Sequence, residues 1–285
     1  MSMNKQALDR LIDLAFTEDF CFGDLTTESC VSPATQSSAY VVAKQAMVVS
    51  GIDVFSHVFA RLDGRVQIAL KVAEGEAVSQ GTVLCTLAGP AQSILTGERV
   101  ALNFLMRLSG IATFTRDAVA AMGTEHHTRL VDTRKTMPGW RHLEKAAVRA
   151  GGGANHRFGL SDGILIKENH ILAAGGIRAA VEKAREHAHH LVKIEVETTN
   201  LDEVREAIEV HADAIMLDNM DNDTIAKAME QVRAVRAKNQ RISVEASGNM
   251  SKERLAAVAA LGVDLISMGA LTHSAPCADV SMRFE

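Results

Sequence analysis

Aromatic residues are scarce in this chain of 285 residues: they make up 4% of it, with one tryptophan and one tyrosine. Proteins that bind single-stranded nucleic acid stack its bases on aromatic side chains, so this composition argues against that function. The formal net charge is -5 at pH 7, which excludes a broad basic surface for nucleic acid. Any anion-binding site should therefore be a local cationic pocket.

Long apolar runs and paired cysteines are also missing. No run reaches the roughly 18 apolar residues that a membrane-spanning helix needs. The N-terminal segment carries acidic residues and no long apolar core, unlike a signal peptide or a membrane anchor. The four cysteines lack CxxC spacing and are predicted to be reduced thiols. These features together predict a cytoplasmic protein.

Six short apolar runs, each ending in charged or small polar residues, dominate the second half of the chain. Helix-compatible segments separate them. This alternation predicts an α/β barrel, in which the carboxyl ends of the strands converge on one mouth and carry the chemistry. The runs are Arg129 to Thr133, Ile164 to Ile166, Val192 to Val196, Ala214 to Leu217, Ile242 to Ala246 and Leu265 to Gly269.

The first part of the chain has a different pattern. A valine-rich, alternating stretch from Ser38 to Gly51 and glycine-punctuated segments after it indicate strands. A helical stretch follows from Ala91 to Met122, and its pattern is interrupted at Gly97 and Gly110. The predicted organisation is an N-terminal α/β domain at 1–110, a catalytic α/β barrel at 111–275, and a C-terminal strand at about 276–285 that returns to the first domain.

Cationic residues follow the first two apolar runs and the glycine-rich segment between them. Arg134 and Lys135 project side by side after the first run, and such a pair can bind carboxylate and phosphate together. A solvated loop pair is the alternative interpretation. Three glycines at 151–153 allow close approach to a ligand and precede His156 and Arg157. Lys167 ends a buried strand and needs an anionic partner, such as a substrate or a glutamate.

Carboxylates and small residues end the remaining runs. Glu195 and Glu197 alternate on one strand and share a face, and Asp218 ends the next strand. Such oxygen ligands suit Mg²⁺, although salt bridges to barrel-mouth lysines are an alternative role. Ser247-Gly248 and Gly269 end the last two strands, where backbone amides of a barrel bind phosphate.

These motifs together resemble the quinolinate phosphoribosyltransferase family over nearly the whole chain. The segments DTRKT, GGGANHR and LIKENH, in that order, are its most specific part. The resemblance implies an N-terminal α/β sandwich followed by an incomplete, TIM-like α/β barrel, in a homodimer or a multiple of dimers. It also implies an Mg²⁺-dependent reaction of quinolinate with 5-phosphoribosyl 1-pyrophosphate that yields nicotinate mononucleotide, pyrophosphate and CO₂ for NAD biosynthesis.

The resemblance also implies roles for individual residues. Lys135, Glu197 and Asp218 would be catalytic, and Glu197 and Asp218 would hold Mg²⁺ directly or through water. Arg99 would enter the site of the neighbouring subunit. The implied substrate-binding residues are Arg99, Thr133, Arg134, Lys135, His156, Arg157, Lys167, Glu197, Asp218, Ser247, Gly248, Asn249, Met268, Gly269, Ala270 and His273.

Two other interpretations stay open at the level of sequence. A relative linked to molybdenum uptake shares this fold and could use a different acceptor, and an acceptor assay would separate the two. A non-enzymatic phosphosugar-binding module would bind without turnover. The complete set of opposed charges at the predicted mouth weighs against that module.

Overall fold

A computed structural model describes residues 5–285, so the first four residues of the predicted N-terminal domain lie outside the described part. The chain divides into two compact units. The first unit holds the residues up to Arg116 together with Thr136–Gly152 and Leu271–Glu285, and the second holds Asp117–Lys135 and Gly153–Ala270. The prediction placed 1–110 and a returning strand at about 276–285 in the first domain, whereas the first unit also includes Thr136–Gly152.

The sheets of the first unit are antiparallel. A four-stranded sheet has the order β12-β1-β5-β3, and β2 pairs with β4 in a second, two-stranded sheet. The C-terminal strand β12 pairs with β1, so residues from both ends of the sequence share one sheet. The strands are β1 Gln36–Ala43, β2 Met47–Val48, β3 Gln67–Leu70, β4 Ala77–Val78, β5 Val83–Pro90 and β12 Val280–Phe284.

The longest helix begins in the first unit and corrects one prediction. Helix α4, Ala91–Met122, is continuous, so the predicted interruption at Gly97 and Gly110 was wrong. Both glycines instead allow close packing: a Cβ at Gly97 would lie 2.7 Å from a ring carbon of Phe59, and one at Gly110 would overlap the carbonyl oxygen of Pro276. The other helices of this unit are α1 Lys5–Phe20, α2 Leu25–Cys30, α3 Ile52–Leu62 and α5 Arg141–Ala150.

The second unit contains a six-stranded parallel sheet of order β6-β11-β10-β9-β8-β7. The first strand of this unit, β6, pairs with its last strand, β11, as in a barrel. However, β6 and β7, at the two edges of the sheet, do not form a ladder. A single bridge between Val131 and Ala154 lies beside β6 instead. The strands are β6 Arg129–Val131, β7 Ile164–Ile166, β8 Ile194–Thr198, β9 Ala214–Asp218, β10 Ser243–Ser247 and β11 Leu265–Ser267.

Helices follow the strands of the second unit, which confirms the α/β class with an antiparallel N-terminal sheet and a parallel C-terminal α/β domain. Apolar side chains at alternate strand positions, such as Val196 and Ile215, are fully buried. None of the helices within residues 5–285 has the length and apolar character to cross a membrane. The helices are α6 Glu168–Ala174, α7 Ile177–His187, α8 Leu201–Glu209, α9 Asn222–Arg236 and α10 Lys252–Ala260, and α11 is Ala270–His273.

Several strands are offset from the predicted runs by one or two residues. Strand β6 ends at Val131 rather than Thr133, because the side chain of Asp132 binds the chain at residues 155 and 156. Strand β8 begins two residues late and extends to Thr198, in register with β9. Lys167 directly follows β7, Glu197 lies one residue before the end of β8, and Asp218 is the last residue of β9, whereas Arg134 and Lys135 lie in the loop beyond β6.

Candidate active site

Asp132 organises the first part of the site. It is fully buried, and its two carboxylate oxygens accept hydrogen bonds from Asn155 Nδ2 at 2.5 Å and from the backbone N–H of His156 at 3.0 Å. Because a buried carboxylate needs such donors, the end of β6 and the turn at 155–156 are joined. Thr133 Oγ1 accepts the N–H of Lys135 at 3.0 Å and shapes the loop that exposes Lys135.

Two guanidinium groups lie near each other beside this turn. Arg157 donates from Nη1 to the carbonyl of Gly163 at 2.8 Å. Burial lowers the pKa of Arg157, and the positive charge of Arg134 lowers it further. The charge of Arg134 disfavours the charged form of Arg157, and an anion that binds both groups would offset this effect. The two arginines are therefore candidates for binding a carboxylate or phosphate.

His156 lies between two glutamates from different strands. Its Nε2 is 3.3 Å from Glu195 Oε2 on β8 and 3.2 Å from Glu245 Oε2 on β10. The three polar atoms lie within 4.8 Å of one another. Burial lowers the pKa of His156, but the hydrogen bonds and charges of the two carboxylates outweigh it and raise that pKa to about 10. The carboxylates thus favour a charged ring.

Lys167 and two carboxylates form a second cluster. Lys167 Nζ lies 3.9 Å from Glu197 Oε2, and its side chain is half exposed. Burial raises the pKa of Glu197, the charge of Lys167 lowers it, and the charge of Asp218 raises it. Two neighbouring carboxylates that repel each other suit a divalent cation, so Glu197 and Asp218 fit the predicted Mg²⁺ site. The backbone N–H of Lys167 donates to the side chain of His170, which gives that histidine a structural role.

The ends of β9 and β10 are joined by a tight backbone arrangement. Asn219 donates its N–H to the carbonyl of Ser247 at 3.0 Å, and Asn249 Nδ2 donates to Asn219 Oδ1 at 3.0 Å. Gly248 between them has φ +83°, which favours glycine. At the end of β11, the N–H of buried Met268 donates to the carbonyl of Val131, and Gly269 and Ala270 follow.

The structure places most predicted substrate-binding residues in the second unit, at or just after the carboxyl ends of its parallel strands. Two belong to the first unit. Arg99 is exposed on α4, and His273 is exposed in α11, where its Nδ1 lies 2.6 Å from Ser274 Oγ.

Three residues of this region were missed as site residues by the sequence analysis: Glu195, Glu245 and Asn219. Glu245 had a usable signal, because a glutamate inside the apolar strand β10 is unusual and needs a partner. Glu195 had been grouped with Glu197 and Asp218 as an oxygen ligand that suits Mg²⁺, but it was not counted among the site residues. Asn219 had no signal, since its positive φ of 54° is a property of the fold.

Two family models match nearly the whole chain. The model for the C-terminal domain of quinolinate phosphoribosyl transferase matches residues 111–283, and the model for the N-terminal domain matches residues 24–109. The chain belongs to the quinolinate phosphoribosyltransferase family.

Similar proteins agree with this assignment. A probable nicotinate-nucleotide pyrophosphorylase (carboxylating) of Bacillus subtilis is 46% identical over 280 residues, which cover 98% of this chain and 94% of that protein. A Synechocystis protein of the same description is 45% identical over 276 residues, which cover 97% and 92%. The solved nicotinate-nucleotide pyrophosphorylase of Francisella tularensis has a TM-score of 0.93 at 38% identity and covers 100% of this chain and 98% of its own.

In this member of the family, the cations and carboxylates described above are candidates for the substrate site. Human nicotinic acid phosphoribosyltransferase, at 13% identity and a TM-score of 0.60, shares the fold alone. Family membership thus rests on the full-length matches, and the individual roles rest on the local geometry.

Proposed function

We propose that this chain acts as a nicotinate-nucleotide pyrophosphorylase (carboxylating) in NAD biosynthesis. It transfers the phosphoribosyl group of 5-phosphoribosyl 1-pyrophosphate to quinolinate and releases pyrophosphate and CO₂, with nicotinate mononucleotide as the organic product. The observation that carries this proposal is the full-length family match of a chain that keeps both opposed charge sets, the cations Arg134 and Arg157 and the carboxylates Glu197 and Asp218.

Quinolinate has two adjacent carboxylates, and the cationic residues suit them. Arg134 and Arg157 offer planar forks that match a carboxylate with paired hydrogen bonds, while Lys167 offers a point charge. His156 adds a donor beside Arg157. The two guanidinium groups repel each other before the substrate binds. A bound dianion would attract both groups and offset that repulsion, which would strengthen its binding. These four residues are proposed to bind the acceptor.

Bond formation needs no activated protein nucleophile, because the pyridine nitrogen attacks the ribose C1 directly. As the C1–O bond to pyrophosphate breaks, negative charge grows on the leaving group, and Lys135 stabilises it there. Positive charge grows on the ribose ring at the same time, and Glu197 and Asp218 are the carboxylates proposed to stabilise it. The same two carboxylates would hold Mg²⁺, which would supply positive charge for the pyrophosphate leaving group.

Loss of CO₂ follows from the charge on the new nucleotide. The ring nitrogen is cationic after transfer, so the electron pair of the breaking C–C bond stays on the adjacent ring carbon, next to that charge. A proton then replaces the carboxylate on that carbon. Arg134, Arg157 and Lys167 hold the second carboxylate in place during this step.

The remaining assignments concern phosphate and assembly. Backbone amides at Ser247, Gly248 and Asn249 and at Met268, Gly269 and Ala270 are proposed to bind phosphate, as barrel strand ends do. Thr133 and His273 are also proposed to bind substrate. The active form is proposed to be a homodimer or a multiple of dimers in which Arg99 enters the partner's site. The cytoplasmic location stays a prediction.

Product analysis tests the reaction. The protein, mixed with quinolinate, 5-phosphoribosyl 1-pyrophosphate and Mg²⁺, should form nicotinate mononucleotide, pyrophosphate and CO₂ in equal amounts. Nicotinic acid should be a poor substitute because it lacks one carboxylate. Equal turnover of nicotinic acid, preference for an unrelated acceptor, or binding without turnover would each contradict the proposal.

A further inference from the structure

The loop between the turn at 155–157 and β7 is closed by one carboxylate, that of Asp162. Its Oδ2 accepts the backbone N–H of Phe158 at 2.5 Å, and its Oδ1 accepts the backbone N–H of Gly159 at 2.8 Å. Burial raises the pKa of Asp162, but these two N–H groups, its own N–H and the charge of Arg157 outweigh burial and lower it. The charged carboxylate thus joins the two ends of the loop.

The same loop supplies an acceptor that orients the side chain of Arg157. Arg157 Nη1 donates to the carbonyl oxygen of Gly163 at 2.8 Å, and Gly163 directly follows Asp162 in the chain. A guanidinium has five N–H donors, so one such bond orients the group and leaves further donors for a ligand. The position of the Gly163 carbonyl therefore helps to decide where the guanidinium points.

The loop has little apolar packing of its own. Leu160 at its tip is 72% exposed, and Ser161 and Asp162 are exposed as well. An exposed leucine side chain contributes little burial energy to holding a loop in one conformation. The hydrogen bonds to the carboxylate of Asp162 are therefore a main cause of the loop's shape.

The position and the charge of Asp162 have opposite effects on an anion at Arg157. Burial and the charge of Arg134 lower the pKa of Arg157, whereas the charges of Asp162 and Glu195 raise it. Asp162 therefore lies close enough to the guanidinium to repel an anion bound there. Removing its charge alone would favour the anion, whereas removing its hydrogen bonds would misplace Arg157. The sign of the change in anion binding thus separates the two effects.

We propose that Asp162 is a positioning residue for quinolinate binding: it closes the loop at 158–162 and so places the Gly163 carbonyl that orients the Arg157 guanidinium for a substrate carboxylate. This inference rests on the proposed function, because it takes quinolinate as the anion that Arg157 binds. It adds to the site a residue that does not itself contact the substrate and whose charge opposes substrate binding.

Asp162→Asn is the main test, because the amide keeps the size and one acceptor oxygen but removes the charge. Its NH₂ group would face a backbone N–H, so one of the two loop hydrogen bonds is lost. The KM for quinolinate should rise roughly tenfold, as for the loss of one charge-assisted hydrogen bond. The kcat and the KM for 5-phosphoribosyl 1-pyrophosphate should hardly change, as expected for a defect in acceptor binding alone. An unchanged or lower KM for quinolinate would overturn the inference alone.

A second variant and a control lie in the same loop. Asp162→Ala removes both acceptor oxygens and should raise the KM for quinolinate further than Asp162→Asn does. Ser161→Ala changes an exposed neighbour and should leave that KM at the wild-type value. Thermal unfolding shows that each variant is folded at the assay temperature, and Asp162→Asn, the milder change, decides the question if Asp162→Ala does not fold.

A double-mutant cycle tests whether Asp162 acts through Arg157. The KM for quinolinate is expected to be high already in Arg157→Ala, and adding Asp162→Asn to that variant should not raise it further. The same increase in the wild-type and Arg157→Ala backgrounds would show that Asp162 acts elsewhere and would overturn the proposal. A wild-type protein that neither binds nor turns over quinolinate would overturn the proposed function, and this inference with it.

Discussion

Replacing Gly248 by alanine perturbs the junction between β9 and β10 without changing any charge. Gly248 has φ +83°, and a Cβ there would overlap Asn219 Oδ1 and lie 2.8 Å from the backbone nitrogen of Asn219. That nitrogen donates to Ser247 and cannot move without breaking the hydrogen bond. Alanine therefore meets both an unfavourable backbone conformation and a contact with rigid backbone.

The two costs can be estimated separately. The left-handed conformation costs alanine about 1–2 kcal/mol, and overpacking against fixed atoms typically costs about 1–3 kcal/mol. Their sum, about 2–5 kcal/mol, should lower Tm by about 4–20 °C, at roughly 2–4 °C per kcal/mol for a chain of this size class. Because Gly248 is a proposed phosphate-binding residue, the KM for 5-phosphoribosyl 1-pyrophosphate should also rise.

Gly175→Ala is the matched control. Gly175 has φ +93°, but a Cβ there would meet nothing within 4 Å, so this variant carries the conformational cost alone. Thermal unfolding of both variants and initial rates at varied 5-phosphoribosyl 1-pyrophosphate provide the measurement. Equal Tm losses in the two variants, with an unchanged KM in Gly248→Ala, would refute the reasoning about Asn219.

Three further predictions concern catalysis, stability and assembly. Lys135→Ala should mainly lower kcat and Arg157→Ala should mainly raise the KM for quinolinate, because Lys135 acts on developing charge and Arg157 on a carboxylate present throughout. Glu144→Ala should lower the free energy of unfolding by about 3–5 kcal/mol, because it leaves the partly buried Arg107 without its ion-pair partner at 2.8 Å. Thermal or denaturant unfolding measures this change. The Arg99→Ala and Lys167→Ala homodimers should each be nearly inactive. Random remixing of the two kinds of subunit should restore roughly a quarter of wild-type activity in a two-fold dimer, because half of the dimers are then mixed and one of the two sites in each mixed dimer is intact.

Each of these predictions has a defined contrary result. The same kcat and KM changes in both catalytic variants would contradict the assigned roles. Glu209→Ala removes an exposed ion pair of 3.5 Å and should lower the free energy of unfolding by less than about 1 kcal/mol. An equally small loss in Glu144→Ala would contradict the argument that its buried ion pair stabilises the fold. Absence of recovery in proven mixed dimers would place Arg99 outside the partner's site, with both homodimers as controls.

The site was only partly readable from sequence. Arg134, Lys167, Glu197 and Asp218 were identifiable because each lies at or near the end of an apolar run, and parallel strands bring such ends to one edge of a sheet. The closeness of Arg134 to Arg157 was not identifiable, since it depends on how the turn at 155–157 is held by Asp132.

The sequence by itself determined the α/β class, the alternation of strands and helices, and the family, because these follow from local periodicity and contiguous motifs. Only the tertiary structure decided that α4 continues through two glycines, since their close contacts with Phe59 and Pro276 come from elsewhere in the chain. It also decided that Glu195 and Glu245 share His156. That contact joins three segments, and it depends on strand order and register, which local sequence patterns do not encode.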